Sequence, residues 1–145
     1  MQFVDTNVLL YANSGDPADA DKAVIADALL HKKDTALSVQ VLQEFYWQAT
    51  GAHRRWRLTH DEAQGLIESW LRFQVQEMTV DIVLAALKSA HRFQISYWDA
   101  AIIEAARALG CEQVLSEDLN AGQSYGGVRV VNPFDSKPPR RNGVR

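Results

Sequence analysis

The 145-residue sequence predicts an α/β fold in which helices cover a mainly parallel sheet. Short β-like apolar runs alternate along the chain with segments of helical spacing, an order typical of parallel strands joined by helices. The composition agrees, because 47% hydrophobic and 23% charged residues are ordinary values for a globular protein. A chain of this length can bury one core, so we expect a single domain over residues 1–134.

The first half of the chain contains two predicted strands and two predicted helices. Residues 2–5 are the first apolar run, and a helix is expected from residue 16 to about residue 33. Its expected buried face consists of Val24, Ile25, Ala28 and Leu29. Residues 35–38 are a second short strand, and Ser38 is a favourable N-cap for a helix over residues 39–50.

The middle of the chain predicts two further helices. Thr59 and Glu62 form a capping box at the start of the first one. Residues 73–78 are expected to form a strand between the two helices. The apolar spacing gives the buried faces of the two helices in turn: Ala63, Leu66, Ile67, Trp70 and Leu71, then Ile82, Val83, Ala86, Leu87 and Ala90.

The last predicted helix begins at the N-cap Ser96 and carries Asp99 in its first turn. Gly110 follows this helix at the position where glycine commonly ends helices. The inward-facing residues of this helix are expected to be Ile102, Ala105, Ala106 and Leu109. Residues 113–116 and 128–131 are the last predicted strands, joined by a glycine-containing loop.

Composition and charge set limits on the class of protein. The single cysteine, Cys111, excludes an internal disulfide framework and fits a reducing compartment. We find neither a targeting pattern nor an apolar run of about 18 residues, so a cytoplasmic protein outside the membrane is expected. The net charge of −3 neither indicates nor excludes nucleic-acid binding. Residues 135–145, with two prolines, are expected to form a basic, mobile tail.

Acidic residues recur where strands end and helices begin. Asp5 follows the first apolar run, Asp118 follows the strand at 113–116, Asp99 begins a helix, and Glu44 lies in the helix after the second strand. The carboxyl ends of parallel strands lie at one edge of a sheet, where ligands gather. Oxygen ligands at such an edge suit Mg²⁺ or Mn²⁺. A bound divalent cation could activate water for hydrolysis of a phosphodiester, without a side-chain nucleophile.

Each acid also has a purely structural explanation, and the residues alone leave it open. Asp5 could cap a short helix at residues 7–13. Asp99 could be the acidic half of a capping box with Ser96, and Asp118 could begin a turn. Glu44 lies opposite the apolar face of its helix, so it could be only a solvated charge.

Several of these motifs together resemble the PIN domain. The resemblance rests on residues 4–9, on Glu44, on residues 97–102 and on residues 114–118. The closing segment, residues 127–134, resembles the end of the VapC-type toxin branch of that family. The resemblance covers about residues 1–134 and implies a three-layer α/β/α sandwich around a mainly parallel sheet.

The resemblance also implies a function and a set of site residues. It implies a Mg²⁺- or Mn²⁺-dependent endoribonuclease, the homodimeric toxin of a toxin–antitoxin pair, inhibited by a cognate antitoxin. The metal-binding and catalytic acids carried over by position are Asp5, Glu44, Asp99 and Asp118, with Thr6 and Ser116 as supporting polar residues. Glu117 immediately precedes Asp118 and is the alternative fourth acid; we favour Asp118.

A basic stretch is the best candidate for contact with RNA. Arg54, Arg55 and Arg57 can pair with phosphate, and Trp56 can stack on an unpaired base. The alternative is a solvated loop before the capping box at Thr59.

Two rival functions compete with the ribonuclease. One is a PIN-like module that has lost catalysis and only binds a partner. The other is an aspartyl phosphatase, which also places Asp after its first strand. The common form of that site has a second Asp two positions on, where this sequence has Asn7.

Overall fold

The computed structural model describes residues 1–135, which form a three-layer α/β/α sandwich. A six-stranded sheet is its centre. The strands are β1 Gln2–Val4, β2 Thr35–Ser38, β3 Gln74–Gln76, β4 Gln113–Leu115, β5 Ser124–Tyr125 and β6 Val128–Val131. The helices are α1 Thr6–Ala12, α2 Ala20–Leu30, α3 Val39–Ala49, α4 His60–Trp70, α5 Val80–Phe93 and α6 Tyr97–Ala108. A short 3₁₀ helix, Pro17–Asp19, precedes α2.

The sheet order is β3-β2-β1-β4-β6-β5, which places β1 and β4 side by side. All neighbouring strands are parallel except β5 and β6, which are antiparallel. Val4 lies opposite Leu115, so the two strands end together. The Asp5 N–H donates to the Leu115 carbonyl at 3.0 Å, which continues the pairing one residue further. The chain segments that follow β1 and β4 therefore begin at the same point of the sheet edge.

The core lies on both sides of this central pair of strands. Phe3, Val4, Val114 and Val130 are fully buried, as is Phe45 on α3. A helix cannot shift relative to the sheet without disturbing this packing, because protein interiors are packed as densely as crystals. The strand ends and helix starts that carry the acidic residues are thus held at fixed positions.

The predicted helix boundaries are confirmed where capping chemistry defined them. Ser38 accepts a hydrogen bond from the Val41 N–H, and Thr59 forms both halves of the predicted capping box. Ser96 accepts from the Asp99 N–H at 3.1 Å. Gly110 has a φ of +76°, the left-handed conformation expected after a helix end.

The predicted buried faces were partly wrong. In α2, Val24 is 72% exposed, because the apolar residues of this helix are spread around it and define no single face. The helix also ends at Leu30, before the predicted residue 33. Leu71 is exposed because it follows the last residue of α4, and Leu87 is exposed because it points outward from α5. The two-residue strand β5 lies within the loop expected between the last strands, and was not predicted.

The predicted basic tail lies, apart from Asp135, outside the described residues. No helix within residues 1–135 is both long and apolar enough to cross a membrane.

Candidate active site

Asp5 is buried between the end of β1 and the start of α1, and both of its carboxylate oxygens are hydrogen-bonded. Oδ1 accepts from the Thr6 N–H at 2.8 Å, which makes Asp5 the N-cap of α1. Oδ2 accepts from the Ser116 hydroxyl at 2.7 Å, across the junction of β1 and β4. The capping role considered from the sequence is therefore real, and it fixes the carboxylate beside the other acids.

Glu44 is held by partners on both of its oxygens. The Thr6 hydroxyl donates to Oε2 at 2.7 Å, and the Gln40 amide donates to Oε1 at 3.0 Å. The alternative of a solvated charge does not hold for Glu44, because the side chain is half-buried and both of its oxygens accept hydrogen bonds. The same Gln40 nitrogen donates to the Trp98 carbonyl at 3.2 Å, which ties α3 to the start of α6, next to Asp99.

Asp118 and Glu117 point to different surroundings. The Asn7 side-chain amide donates to Asp118 Oδ2 at 3.2 Å and to the Ser116 hydroxyl at the same distance. Glu117 instead forms an ion pair with Lys22 of α2. This geometry favours Asp118 as the member of the acidic group and gives Glu117 a structural partner.

The four acids influence one another electrostatically. The pKa of Asp5 is raised to about 6, chiefly by burial and in addition by the negative charges of Glu44 and Asp118, while the hydrogen bonds from Ser116 and Thr6 oppose the shift. The pKa of Asp99 is raised by burial and by the charges of Asp118 and Glu44, while its hydrogen bond with Ser96 opposes the shift. Asp5 and Asp99 therefore each lie within electrostatic range of Glu44 and Asp118.

The chemistry of this donor set suits a hard divalent cation. All four side chains offer carboxylate oxygens, the ligands that Mg²⁺ and Mn²⁺ prefer. Within residues 1–135, no three His, Cys, Asp or Glu side chains are close enough to form a ready-made metal cluster. Mg²⁺ does not require one, since it keeps several of its waters and binds through one or two carboxylates. The chemistry of these donors is therefore compatible with a divalent cation held by one or two of the carboxylates.

Gln40 is a site residue that the sequence analysis did not identify. It is 5% exposed, and its Oε1 is a buried acceptor with no hydrogen-bond partner in the described part of the chain. Buried polar atoms without partners are uncommon in folded proteins. The spacing of four residues between Gln40 and Glu44 was the available signal, because such pairs are neighbours on one face of a helix.

Arg54, from the basic stretch, shares a cleft with one of the four acids, Asp118. Arg54, Asp118, Asn7 and three other residues line an open cleft of about 310 Å³. Arg54 also lines an adjoining cleft of about 590 Å³ together with Arg55 and Trp56. Arg57 is exposed and lines neither cleft.

Solved structures of toxin–antitoxin proteins have a similar fold. A chain in a toxin–antitoxin complex from Klebsiella pneumoniae has a TM-score of 0.68 and 18% identity, over 93% of this chain and 99% of that one. Mycobacterium tuberculosis VapC20, described as a sarcin–ricin loop cleaving toxin, has a TM-score of 0.63 and 20% identity, over 81% and 92%. Neisseria gonorrhoeae FitAcB has a TM-score of 0.62 and 21% identity, over 92% and 99%.

Sequence comparison gives a family. No curated protein sequence matches the chain significantly. The family model of the PIN domain matches residues 3–123, which is most of the sequence and includes all four acids. The chain therefore belongs to the PIN domain family.

Proposed function

We propose that this protein is a metal-dependent endoribonuclease that hydrolyses RNA phosphodiester bonds, and that it is the toxin of a toxin–antitoxin pair. The observation that carries the proposal is the hydrogen-bond network at one sheet edge: Thr6, Ser116 and Asn7 link Asp5, Glu44 and Asp118. The charges of Glu44 and Asp118 also reach Asp99. Membership of the PIN family supports a nuclease, and one protein of similar fold is described as a toxin that cleaves the sarcin–ricin loop.

In this proposal Mg²⁺ or Mn²⁺ binds among the four carboxylates, with one or two of them as direct ligands and the others acting through its bound waters. When bound, such a cation lowers the pKa of a coordinated water and offsets charge that develops on the phosphate. Ser116 and the Thr6 N–H orient the Asp5 carboxylate, as their hydrogen bonds at 2.7 and 2.8 Å indicate. The Thr6 hydroxyl orients Glu44 in the same way.

The substrate reaches these acids through the cleft that Arg54 shares with Asp118. Arginine pairs well with phosphate, because its planar guanidinium offers several donors to the phosphate oxygens. Arg54 forms no ion pair within residues 1–135, so its guanidinium has no carboxylate to leave when it binds RNA. We assign Arg54 to the phosphate nearest the acids, and Arg55 and Trp56 to the adjoining nucleotide.

The toxin assignment includes two protein partners. A cognate antitoxin would block the acidic cleft, and a basic side chain of the antitoxin could occupy the place of the cation there. A second copy of the chain would cover an apolar stripe on α5, where Val80, Leu84 and Leu87 are each more than half exposed. Apolar residues that are contiguous on the surface commonly mark protein interfaces. We place this pair in the cytoplasm.

The aspartyl phosphatase is the weaker rival. Asn7 stands where that site would have a second acid, and its amide is used to hold Ser116 and Asp118. The inactive binding module differs from our proposal only in lacking turnover, so an RNA cleavage assay distinguishes the two.

The proposal is tested with protein stripped of metal by EDTA and mixed with structured and unstructured RNA. We expect no cleavage until Mg²⁺ or Mn²⁺ is added, and little with Ca²⁺, whose larger and looser coordination positions water poorly. A phosphomonoester is included as a second substrate. Phosphate release from it without RNA cleavage would indicate the phosphatase, and RNA binding without cleavage in any metal would indicate the inactive module.

A further inference from the structure

The larger cleft beside the acidic group is lined by basic, acidic and aromatic side chains, a combination that binding of a simple anion does not require. Asp16, Asp19, Gln48, Arg54, Arg55 and Trp56 line its space of about 590 Å³. Two arginines and two carboxylates are present together, and neither arginine forms an ion pair within residues 1–135. A site for phosphate alone would not place carboxylates beside the anion, because like charges repel. The ligand must therefore carry an anionic group and also hydrogen-bond donors.

The carboxylates retain free acceptor capacity. Asp16 uses Oδ1 to accept from the Ala18 N–H, and Asp19 uses Oδ2 to accept from the Ser14 hydroxyl. The other oxygen of each carboxylate makes no hydrogen bond in the described part of the chain. Ionised carboxylates only accept hydrogen bonds, so these oxygens call for N–H donors on the ligand.

Trp56 supplies the flat apolar surface of the cleft. Trp56 is 38% exposed, and the Arg55 guanidinium lies 4.6 Å from the centroid of its ring. Unpaired bases stack on such rings and on arginine planes. Arg54 also lines the smaller cleft that contains Asp118, so a phosphate held by Arg54 would lie between the acids and this aromatic surface.

We propose that this cleft binds one unpaired guanine nucleotide of the RNA, next to the phosphate that is cut. The base lies against Trp56, its N1–H and N2 amino donors reach Asp16 and Asp19, and its phosphate pairs with Arg54. Guanine fits better than uracil, because guanine presents adjacent donors on its Watson–Crick edge and uracil presents a single N–H there. This inference rests on the proposed function for its biological meaning, although binding itself requires no catalysis.

The test uses the full chain in EDTA with 5′-GMP, 5′-UMP and inorganic phosphate as calorimetric probes. GMP should bind about tenfold more tightly than UMP, and phosphate more weakly than either. Trp56→Leu should weaken GMP binding by roughly fivefold or more, the lower end of what one stacked base contributes. The double variant Asp16→Asn and Asp19→Asn should retain UMP binding and lose the preference for GMP. Arg54→Gln should weaken both nucleotides.

Arg92→Gln is the matched control, since Arg92 also lies over an aromatic ring, that of Phe93, but outside the cleft. It should bind GMP like the parent. Equal affinity for GMP and UMP in the parent, or equal GMP binding by Arg54→Gln and Arg92→Gln, would overturn the assignment. These binding measurements contain no metal and do not depend on catalysis. If the protein binds GMP as expected but does not cleave RNA in Mg²⁺, the guanine site stands and only the proposed nuclease activity is refuted.

Discussion

The Thr6 hydroxyl donates to Glu44 at 2.7 Å and so joins the first residue of α1 to the middle of α3. Thr6 also donates its N–H to Asp5, so one residue orients two of the four acids. The positions of these acids relative to each other therefore depend on a neutral side chain that carries no ligand role of its own.

The first prediction follows from this contact. Thr6→Val keeps the shape of the side chain but removes the donor to Glu44. Outer partners of metal ligands commonly affect metal affinity or activity by about 10- to 100-fold. We expect the Mg²⁺ concentration for half-maximal RNA cleavage to rise within that range. Thr6→Ser, which keeps the hydroxyl, should restore the parent value, and failure of this rescue would show that packing, not the hydrogen bond, matters at Thr6.

The second prediction concerns stability against pH in metal-free protein. The pKa of Asp5 is raised from 3.8 to about 6 in the folded state, so the folded protein binds more protons than the unfolded chain between these values. The contribution of Asp5 to the unfolding free energy should therefore fall as pH rises through this interval. The pKa difference corresponds to roughly 3 kcal/mol.

Asp5→Asn isolates this effect, since Asn is also a good N-cap and does not titrate. Urea unfolding in EDTA should show the variant gaining stability relative to the parent between about pH 4 and pH 6.5. A difference between the two proteins that is constant across this range would contradict the raised pKa.

The third prediction concerns the loop that carries Asp118. Lys22 forms an ion pair with Glu117, and its ammonium group lies 4.8 Å from the centroid of the Tyr11 ring. Lys22→Met keeps most of the aliphatic packing and removes the charge. A partly exposed ion pair contributes up to about 1 kcal/mol, so the Mg²⁺ requirement should rise by at most about fivefold. If Lys33→Met, an exposed control, changes the Mg²⁺ requirement equally, Lys22 has no specific role.

The fourth prediction concerns RNA affinity and salt. Arg54 lines both clefts, whereas Arg57 lines neither. Arg54→Gln should reduce the slope of log affinity against log salt by about 0.7, the value for one phosphate contact on a single strand. Arg57→Gln should leave the slope near that of the parent. The reverse order in filter-binding measurements would place the RNA outside these clefts.

Local chemistry made much of this fold predictable. The positions of Asp5 and Asp118 at the sheet edge could be predicted because each follows a strand. The position of Asp99 could be predicted because it lies in the first turn of a capped helix. These features depend on neighbours in sequence. The buried face of α2 could not be placed, because its apolar residues follow no single stripe, and Val24 consequently lies in solvent.

Contacts distant in sequence decide what the residues alone left open at the site. Glu44 is fixed by Thr6, 38 residues away, so its own helix gave the misleading impression of a solvated charge. Glu117 and Asp118 could be told apart as members of the acidic group only because Glu117 pairs with Lys22, 95 residues away. Neither partner is marked by spacing or composition, and only the folded sheet brings them together.

The most direct test of the central claim is the rate of RNA cleavage by Asp99→Asn in saturating Mg²⁺. The charges of Asp118 and Glu44 raise the pKa of Asp99. The hydrogen bond from the Asp99 N–H to the Ser96 hydroxyl involves the backbone and survives the substitution. Glu112→Gln, an exposed acid outside the group, serves as the control. If the four acids hold the catalytic cation, Asp99→Asn should cleave RNA at least about 100-fold more slowly than the parent, and Glu112→Gln at the parent rate. Parent-like cleavage by folded Asp99→Asn would contradict the account.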